Sequence, residues 1–432
     1  MRQLSHFLRA QAQLTVLTQF FPPDYAATGQ LVEELSRSFC QNNIGVNVFT
    51  GQPGYAFDSN EAPKREVVQG VRVYRTRTSR LWPRRIRGRA IGGLLYCIRS
   101  FFKLLHPHYR KALLLVTTEP PYLPVVAYIM HWLFNQHYVC LLYDLYPDVA
   151  VTLGVVPEKN VIVKFWRWLN RLTWRHAKSI VVLSPTMKQR ILDFCPEASG
   201  KITVIHNWAD PNLIRPMPKT NNWFAQQHGL DQVFTVLYSG NMGRCHDMDT
   251  IMAAAIELRD EPVRFVFIGD GAKRKHCVDL AQQHGLANCL FLPYQPKQNL
   301  PFSLTACDLS LVSIDRDVEG LVAPSKFYGC LAAGRPIAAV CEPHSYLRGM
   351  LAEGQCGKAF DNGDGRGLAD FIRFLQAESG QSDRMGERAR RYLIDHYTPE
   401  QCAHRYLQVV ADCFAGEGVL APVYVSKSEV RK

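Results

Sequence analysis

Phe234-Thr-Val-Leu-Tyr-Ser-Gly-Asn-Met-Gly-Arg244 is an apolar run that breaks on two glycines and a cation, and residues 249–259 behind it are patterned as a helix. Strand, glycine turn and helix in that order form the first half of a βαβ unit. The alternation continues with strands at 264–268, 288–292, 309–314 and 337–340 and helices at 276–284, 325–333, 368–376, 382–396 and 399–414. Upstream it has already run once, with strands at 14–20, 45–50, 112–117, 138–143, 179–183 and 201–205, a helix at 28–41 and a crossover helix between 117 and 138. Pro211-Asn-Leu-Ile-Arg-Pro-Met-Pro-Lys-Thr-Asn-Asn222 separates the two series as a linker. Two successive series predict an α/β protein of two doubly wound, Rossmann-like domains with a hinge near 211.

The composition fits that architecture. A chain of 432 residues has room for two or three domains, and 47% apolar with 20% charged residues argues against disorder, collagen and coiled coil. Thirteen cysteines without a CxxC pair suit reduced, buried thiols better than a disulfide framework or a zinc site. Residues 1–13 carry Arg2 and Arg9 but no apolar core of signal-peptide length. Residues 120–143 lack Asp, Glu, Lys and Arg, yet hold three prolines, His131, Asn135, Gln136 and His137; they are expected to be a buried helix followed by a buried strand.

The net charge of +12 resides in one place. Residues 67–118 contain ten arginines (72, 75, 77, 80, 84, 85, 87, 89, 99 and 110), Lys103 and Lys111, and no acid. Such a block seeks a polyanion. Leu81, Trp82, Phe101 and Phe102 are interleaved with it, as in segments that lie on anionic membranes. No nucleic-acid-binding module is recognisable, which disfavours DNA or RNA as the partner. Peripheral contact with an anionic membrane is the expectation, with a cytoplasmic location.

In doubly wound folds ligands sit beyond the carboxyl ends of the strands. Those ends carry Pro22 to Gly29, Thr117-Thr-Glu119, Asp144, Ser184 and His206-Asn207 in the first series. In the second they carry Ser239-Gly-Asn-Met-Gly-Arg244 and Gly269-Asp-Gly271. Glycines admit a phosphate to the backbone, a helix N-terminus behind them favours negative charge, and Arg244 adds a charged fork. Pro324-Ser-Lys-Phe-Tyr-Gly-Cys-Leu-Ala-Ala-Gly-Arg-Pro336 starts a helix correctly, with Lys326 in its first turn. The helix dipole disfavours a cation there unless an anion shares the site.

Tyr238–Arg244, residues 267–271, 292–296 and Pro324–Pro336 occur in order, preceded by Ser184-Pro-Thr-Met-Lys188 and Val204-Ile-His-Asn-Trp-Ala-Asp210. As a set they resemble the family 4 glycosyltransferases of the GT-B fold, in the flavour of the subgroup making colanic-acid, capsule and O-antigen polysaccharides. The resemblance spans roughly residues 14–412. It implies an acceptor-side domain at 1–210, a hinge at 211–232, a nucleotide-sugar-binding domain at 233–398, a C-terminal helix at 399–416 packed back on the first domain, and a tail at 417–432. It implies retaining transfer from a UDP- or GDP-linked sugar to a lipid-linked or other saccharide acceptor, such as a polyprenyl-diphosphate saccharide, without a cofactor or metal.

Residue by residue, Arg244 and Lys326 resemble the cations that hold the donor diphosphate, and Gly240, Asn241, Gly243, Gly269 and Gly271 the loops over it. Ser325 resembles a phosphate hydrogen-bond donor, Tyr294 and Gln295 the segment touching the base, and Gly29 the N-terminal loop approaching the donor. Asp144 stands where relatives place a cleft residue near the reacting sugar. The family's two glutamates, eight positions apart, are replaced: Leu321 stands at the first, with Glu319 two residues away, and Gly329 at the second, which binds ribose. Asn241 and His246 stand for the usual Arg and Lys. Arg244 and Lys326 would stabilise the departing diphosphate. With no carboxylate nucleophile evident, front-face attack by the acceptor hydroxyl is expected, with Asp144 orienting it or merely capping the turn at Pro147. The alternatives are a metal-dependent enzyme using Asp315-Arg-Asp317, a GT-B sugar-nucleotide epimerase, an inactive GT-B scaffold and a polyanion-binding protein.

Overall fold

The computed structural model describes residues 13–24, 26–53, 62–77 and 86–415. The N-terminal segment, Arg80, Leu81, Trp82, Arg84, Arg85 and the tail from 416 lie outside the described residues.

Two sheets form. The first holds eight strands in the order β3-β4-β2-β1-β5-β6-β7-β8. They are β1 Gln13–Leu17, β2 Gly45–Gly51, β3 Arg65–Val68, β4 Val71–Thr76, β5 Leu113–Thr117, β6 Tyr138–Leu142, β7 Ser179–Val182 and β8 Ile202–Val204. All pairings are parallel except β3 with β4. The second sheet is wholly parallel, β11-β10-β9-β12-β13-β14, with β9 Phe234–Ser239, β10 Val263–Ile268, β11 Cys289–Leu292, β12 Leu309–Ser313, β13 Ile337–Val340 and β14 Gly357–Phe360. Strands such as β5 and β6 are buried at every position, as parallel strands covered on both faces must be.

Among the described residues, helices of eight residues or more in the first half are α1 Ala27–Gln41, α2 Ile86–Leu104, α3 Leu123–Phe134, α4 Val161–His176 and α5 Pro185–Phe194. In the second half they are α6 Asp249–Glu257, α7 Arg274–Gln283, α8 Lys326–Ala333, α9 Tyr346–Gly354, α10 Gly365–Ala377, α11 Ser379–His396 and α12 Pro399–Ala415. Crossovers between parallel strands are right-handed. The step from β1 to β2 runs one way along the first sheet, and the steps from β4 to β5, β6, β7 and β8 run the other. Helix α1 therefore covers one face and α2 to α5 the opposite one. Helix α12 packs against α1 and lends Tyr406, Val410, Cys413 and Phe414 to the N-terminal core, as the GT-B resemblance implied. All thirteen cysteines are free thiols.

Two expectations change. The basic block, expected to face a polyanion, is divided between surface and interior. Arg75 is buried against Glu66 and the carbonyls of Pro22 and Pro63, Lys103 lies over the rings of Phe49 and Tyr74, and Arg110 caps Leu105. Burial pushes the Lys103 ammonium down to about 7. Phe101 turns into the core while Phe102 stays exposed. Second, the stretch 120–143 does give a helix and a strand, but α3 buries only one side and leaves Ile129, Trp132, Leu133 and Phe134 exposed. No helix of the described residues is long and apolar enough to cross a membrane.

Candidate active site between the two sets of strand ends

The glycine loops after β9 and β10 interlock. Gly240 and Gly269 both sit at φ of +131°, a conformation open to glycine and strained for other residues. The Gly240 amide donates to the Ile268 carbonyl at 2.8 Å, and the Met242 amide to the Asp270 carbonyl at 2.8 Å. A β-carbon on Gly269 would stand 2.2 Å from the Gly240 carbonyl oxygen, and one on Gly271 2.5 Å from the Asn241 Oδ1. Two backbones thus come within reach of one ligand, with Tyr294 beside Gly269. Gln295 folds back on the Pro293 carbonyl at 3.0 Å.

Lys326 opens α8 at the floor of these loops. Its aliphatic arm passes Gly240, and its ammonium lies 3.9 Å from the centre of the Tyr238 ring, donates to the Tyr238 hydroxyl and reaches the Asn241 carbonyl at 3.4 Å. No carboxylate among the described residues pairs with it, and burial pushes its pKa down to about 7. Ser325, the residue before the helix, makes no side-chain cap hydrogen bond among the described residues. His246 accepts the Gly243 amide through Nδ1 at 3.2 Å. Burial, then the Lys326 and Lys273 charges, hold it well below the usual histidine range, so it stays neutral. Arg244 is exposed and forms no ion pair among the described residues.

Asp315 is committed elsewhere: its carboxylate takes the Lys273 ammonium at 2.5 Å, while the Asp317 amide is held by Glu342. The Asp-Arg-Asp motif therefore does not present two free carboxylates. Among the described residues no group of three or more His, Cys, Asp or Glu is placed to hold a metal.

Opposite stands an acidic lip. Glu119 follows β5 and Asp144 follows β6, locked together by the Thr118 hydroxyl, which accepts the Tyr143 amide at 3.1 Å and the Asp144 amide at 3.4 Å. Thr28 donates to Glu119 Oε1 at 3.1 Å, and Oε2 is buried without a partner. Burial, then the Asp144 charge, raises Glu119 to about 8; burial raises Asp144 to about 6. Sequence reasoning noted Glu119 only as a strand end and gave it no role; its place two residues beyond the fully buried strand Leu113–Thr117 was the available signal.

Residues 318–323 join the two lips. Leu145 donates to the Leu321 carbonyl at 2.9 Å, Asp144 bridges to Val322, and Leu321 enters the N-terminal core. Glu319 is buried here: Thr186 donates to its Oε1 at 2.6 Å, and Arg190 to its backbone carbonyl. Its carboxylate therefore serves the domain junction rather than an open donor pocket, although Oε2 has no partner. Cys245, next to Arg244, touches both cores, and burial followed by the Asp144 charge raises its thiol to about 12. Cys245, beside Arg244, thus lies near Asp144, while Lys326 lies near His246 one residue further on. Gly29 is not in an open loop; it lies in the first turn of α1, where a β-carbon would meet the Phe20 backbone at 3.0 Å. Gly329, inside α8, offers no side chain for a ribose.

Comparison with known proteins agrees with this geometry. Residues 26–208 match the family described as "Glycosyl transferase 4-like domain", and residues 220–392 that described as "Glycosyl transferases group 1". The chain is 28% identical to the probable glycosyltransferase WbjE of Pseudomonas aeruginosa over 63% of its length and 69% of the relative's. It is 37% identical to the putative colanic acid biosynthesis glycosyl transferase WcaI of Escherichia coli, over 27% of this chain and 29% of the relative. Its fold superimposes on sucrose-phosphate synthase from Thermosynechococcus elongatus with a TM-score of 0.77 at 17% identity, covering 94% of this chain and 100% of that one. It superimposes on Anabaena HepE in complex with UDP-glucose with a TM-score of 0.68 at 15% identity, covering 94% and 99%. With two adjoining family matches over most of its length and both lips of the cleft in place, the chain belongs to the family 4 glycosyltransferases of the GT-B fold.

Proposed function

We propose that this glycosyltransferase moves a hexosyl unit, with retention, from a UDP- or GDP-linked sugar to a saccharide acceptor, lipid-linked in the cell, during assembly of a surface polysaccharide. The observation that carries this is Lys326: a half-buried cation at a helix start, without a carboxylate partner among the described residues, under two interlocked glycine loops. A diphosphate would supply its missing charge, with Ser325, Arg244 and the loop amides as further donors. Breaking the anomeric bond leaves growing negative charge on that diphosphate, and Lys326 and Arg244 meet it. Across the cleft Asp144 orients the acceptor hydroxyl, and Glu119, protonated near neutrality, donates rather than repels. The complex of HepE with UDP-glucose and the colanic-acid role named for WcaI support the donor class and the setting.

Incubation with a panel of nucleotide sugars, reading release of UDP or GDP, tests the donor; the anomeric configuration of the product by NMR tests retention. Release from one or two donors and an axial or equatorial bond matching the donor's are expected. An inverted product, or free sugar isomerised without transfer, would refute the reading. Loss of activity with EDTA would favour a metal-dependent reaction instead.

A further inference from the structure

We propose that the outer faces of α2, α3 and α4 together form a surface that docks this protein on an anionic lipid bilayer. The three helices lie side by side on one face of the first sheet, α2 against α3 and α3 against α4. A helix covering a sheet normally turns polar residues outward. Here the outward positions hold Leu94, Phe102, Trp132, Ile162, Phe165 and Trp168, all more than half exposed, with Trp132 at 74%. Twelve of the large apolar side chains exposed among the described residues belong to these three helices. Exposed apolar side chains concentrated on neighbouring helices in this way mark an interaction surface.

Its charge says which partner. None of the three helices contains an Asp or Glu. Arg99, Lys164 and Arg175 on these helices are exposed and have no acidic partner among the described residues, whereas Arg167 and Arg171 are taken by Asp148 and Glu197 at 2.6 Å. A second copy of the chain would bring cations against cations across a twofold axis, without a carboxylate in these helices to pair them. A leaflet of anionic lipid offers both complements, hydrocarbon for the aromatic side chains and headgroup charge for the cations. Helix α3, at 12 residues, is too short to span, so attachment is to one leaflet. The surface differs from the basic run 67–118 in sequence: it includes α3 and α4, which that run does not reach, and omits Arg75, Lys103 and Phe101, which face inward.

Co-sedimentation with vesicles of phosphatidylcholine and phosphatidylglycerol, against phosphatidylcholine alone, reads this directly and does not depend on the transfer reaction. The wild type should pellet with the anionic vesicles at low salt and be released as salt rises. The triple variant Trp132→Ser, Phe165→Ser, Trp168→Ser should partition roughly tenfold less or worse. It should keep the wild-type Tm and nucleotide affinity, because the three side chains are exposed. Arg99→Gln, Lys164→Gln, Arg175→Gln should lose the preference for anionic lipid. Vesicles should shield tryptophan fluorescence from acrylamide in the wild type more than in the triple Ser variant. Wild type remaining in the supernatant at low salt, or a triple Ser variant that binds as well as wild type, overturns the proposal. So does light scattering that finds a wild-type dimer made monomeric by those substitutions without vesicle binding; that result makes a second copy the occupant.

Discussion

Lys326 and Glu119 are each held in the neutral-leaning state that burial favours, on opposite sides of one cleft, and each yields a measurable consequence. Removing a charge-assisted contact to a phosphate costs about 1.5–3 kcal/mol. Lys326→Ala should weaken nucleotide diphosphate binding at least about tenfold and leave Tm nearly unchanged, as calorimetry and thermal unfolding will read. Because the free ammonium titrates near 7 and a bound diphosphate raises that value, wild-type binding at pH 8 should take up a proton. Calorimetry in buffers of different ionisation enthalpy measures it, and Lys326→Ala should abolish the uptake. For Glu119 the folded value, about 8, lies above the usual 4.5, so the folded state binds the extra proton between those pH values. Its contribution to stability is full below about 4.5 and is lost as pH rises through 8. Glu119→Gln cannot ionise and should melt above wild type at pH 8, with the gap closing toward pH 5.

At the scale of elements, α8 shows what a glycine costs where no turn requires one. Gly329 is interior to the helix, and a β-carbon there would meet only the Leu304 Cδ1 at 3.4 Å, an ordinary contact. Gly329→Ala should therefore stabilise the protein by roughly 0.5–1 kcal/mol, seen as a rise of a few degrees in Tm. The strand–glycine–helix units were legible in the sequence because the central strands, such as β5, β6, β9 and β13, are apolar and buried, and many of the breaks after strands fall on glycine or proline. Lys326 was legible for a related reason, as a cation out of place at a helix start. The β3–β4 hairpin was not, because its alternation of buried Val71 and Val73 with exposed Arg72 sits inside a charged run. Gly29 was misplaced because a glycine needed for helix–loop packing reads the same as one needed for a loop. The burial of Glu319 was invisible because its partner, Thr186, is 133 residues away. Likewise, lack of charge in 120–143 signalled burial, whereas half of α3 faces outward.

For the whole molecule, the return of α12 to the first domain carries a stability cost that a single substitution can expose. Tyr406 is 1% exposed and meets Trp208 edge-on at 6.1 Å between ring centres, and Trp208 in turn donates to Glu34 at 2.7 Å. Tyr406→Ala removes an aromatic ring from that packing and should cost about 3–5 kcal/mol, as for other buried aromatic truncations. Denaturant unfolding should show the loss in the transition of the N-terminal domain. The same return also means that the chain crosses between the domains twice, at the residues after β8 and again between α11 and α12. The crossings touch: Ala209 donates to the Tyr397 carbonyl at 3.3 Å, and the His206 ring packs edge-on to Tyr397 at 5.5 Å. A single tether would leave the second domain free to swivel like a ball on a string. Two tethers fastened side by side act as a door on paired pins, and that pairing narrows the ways in which the two halves can shift against each other.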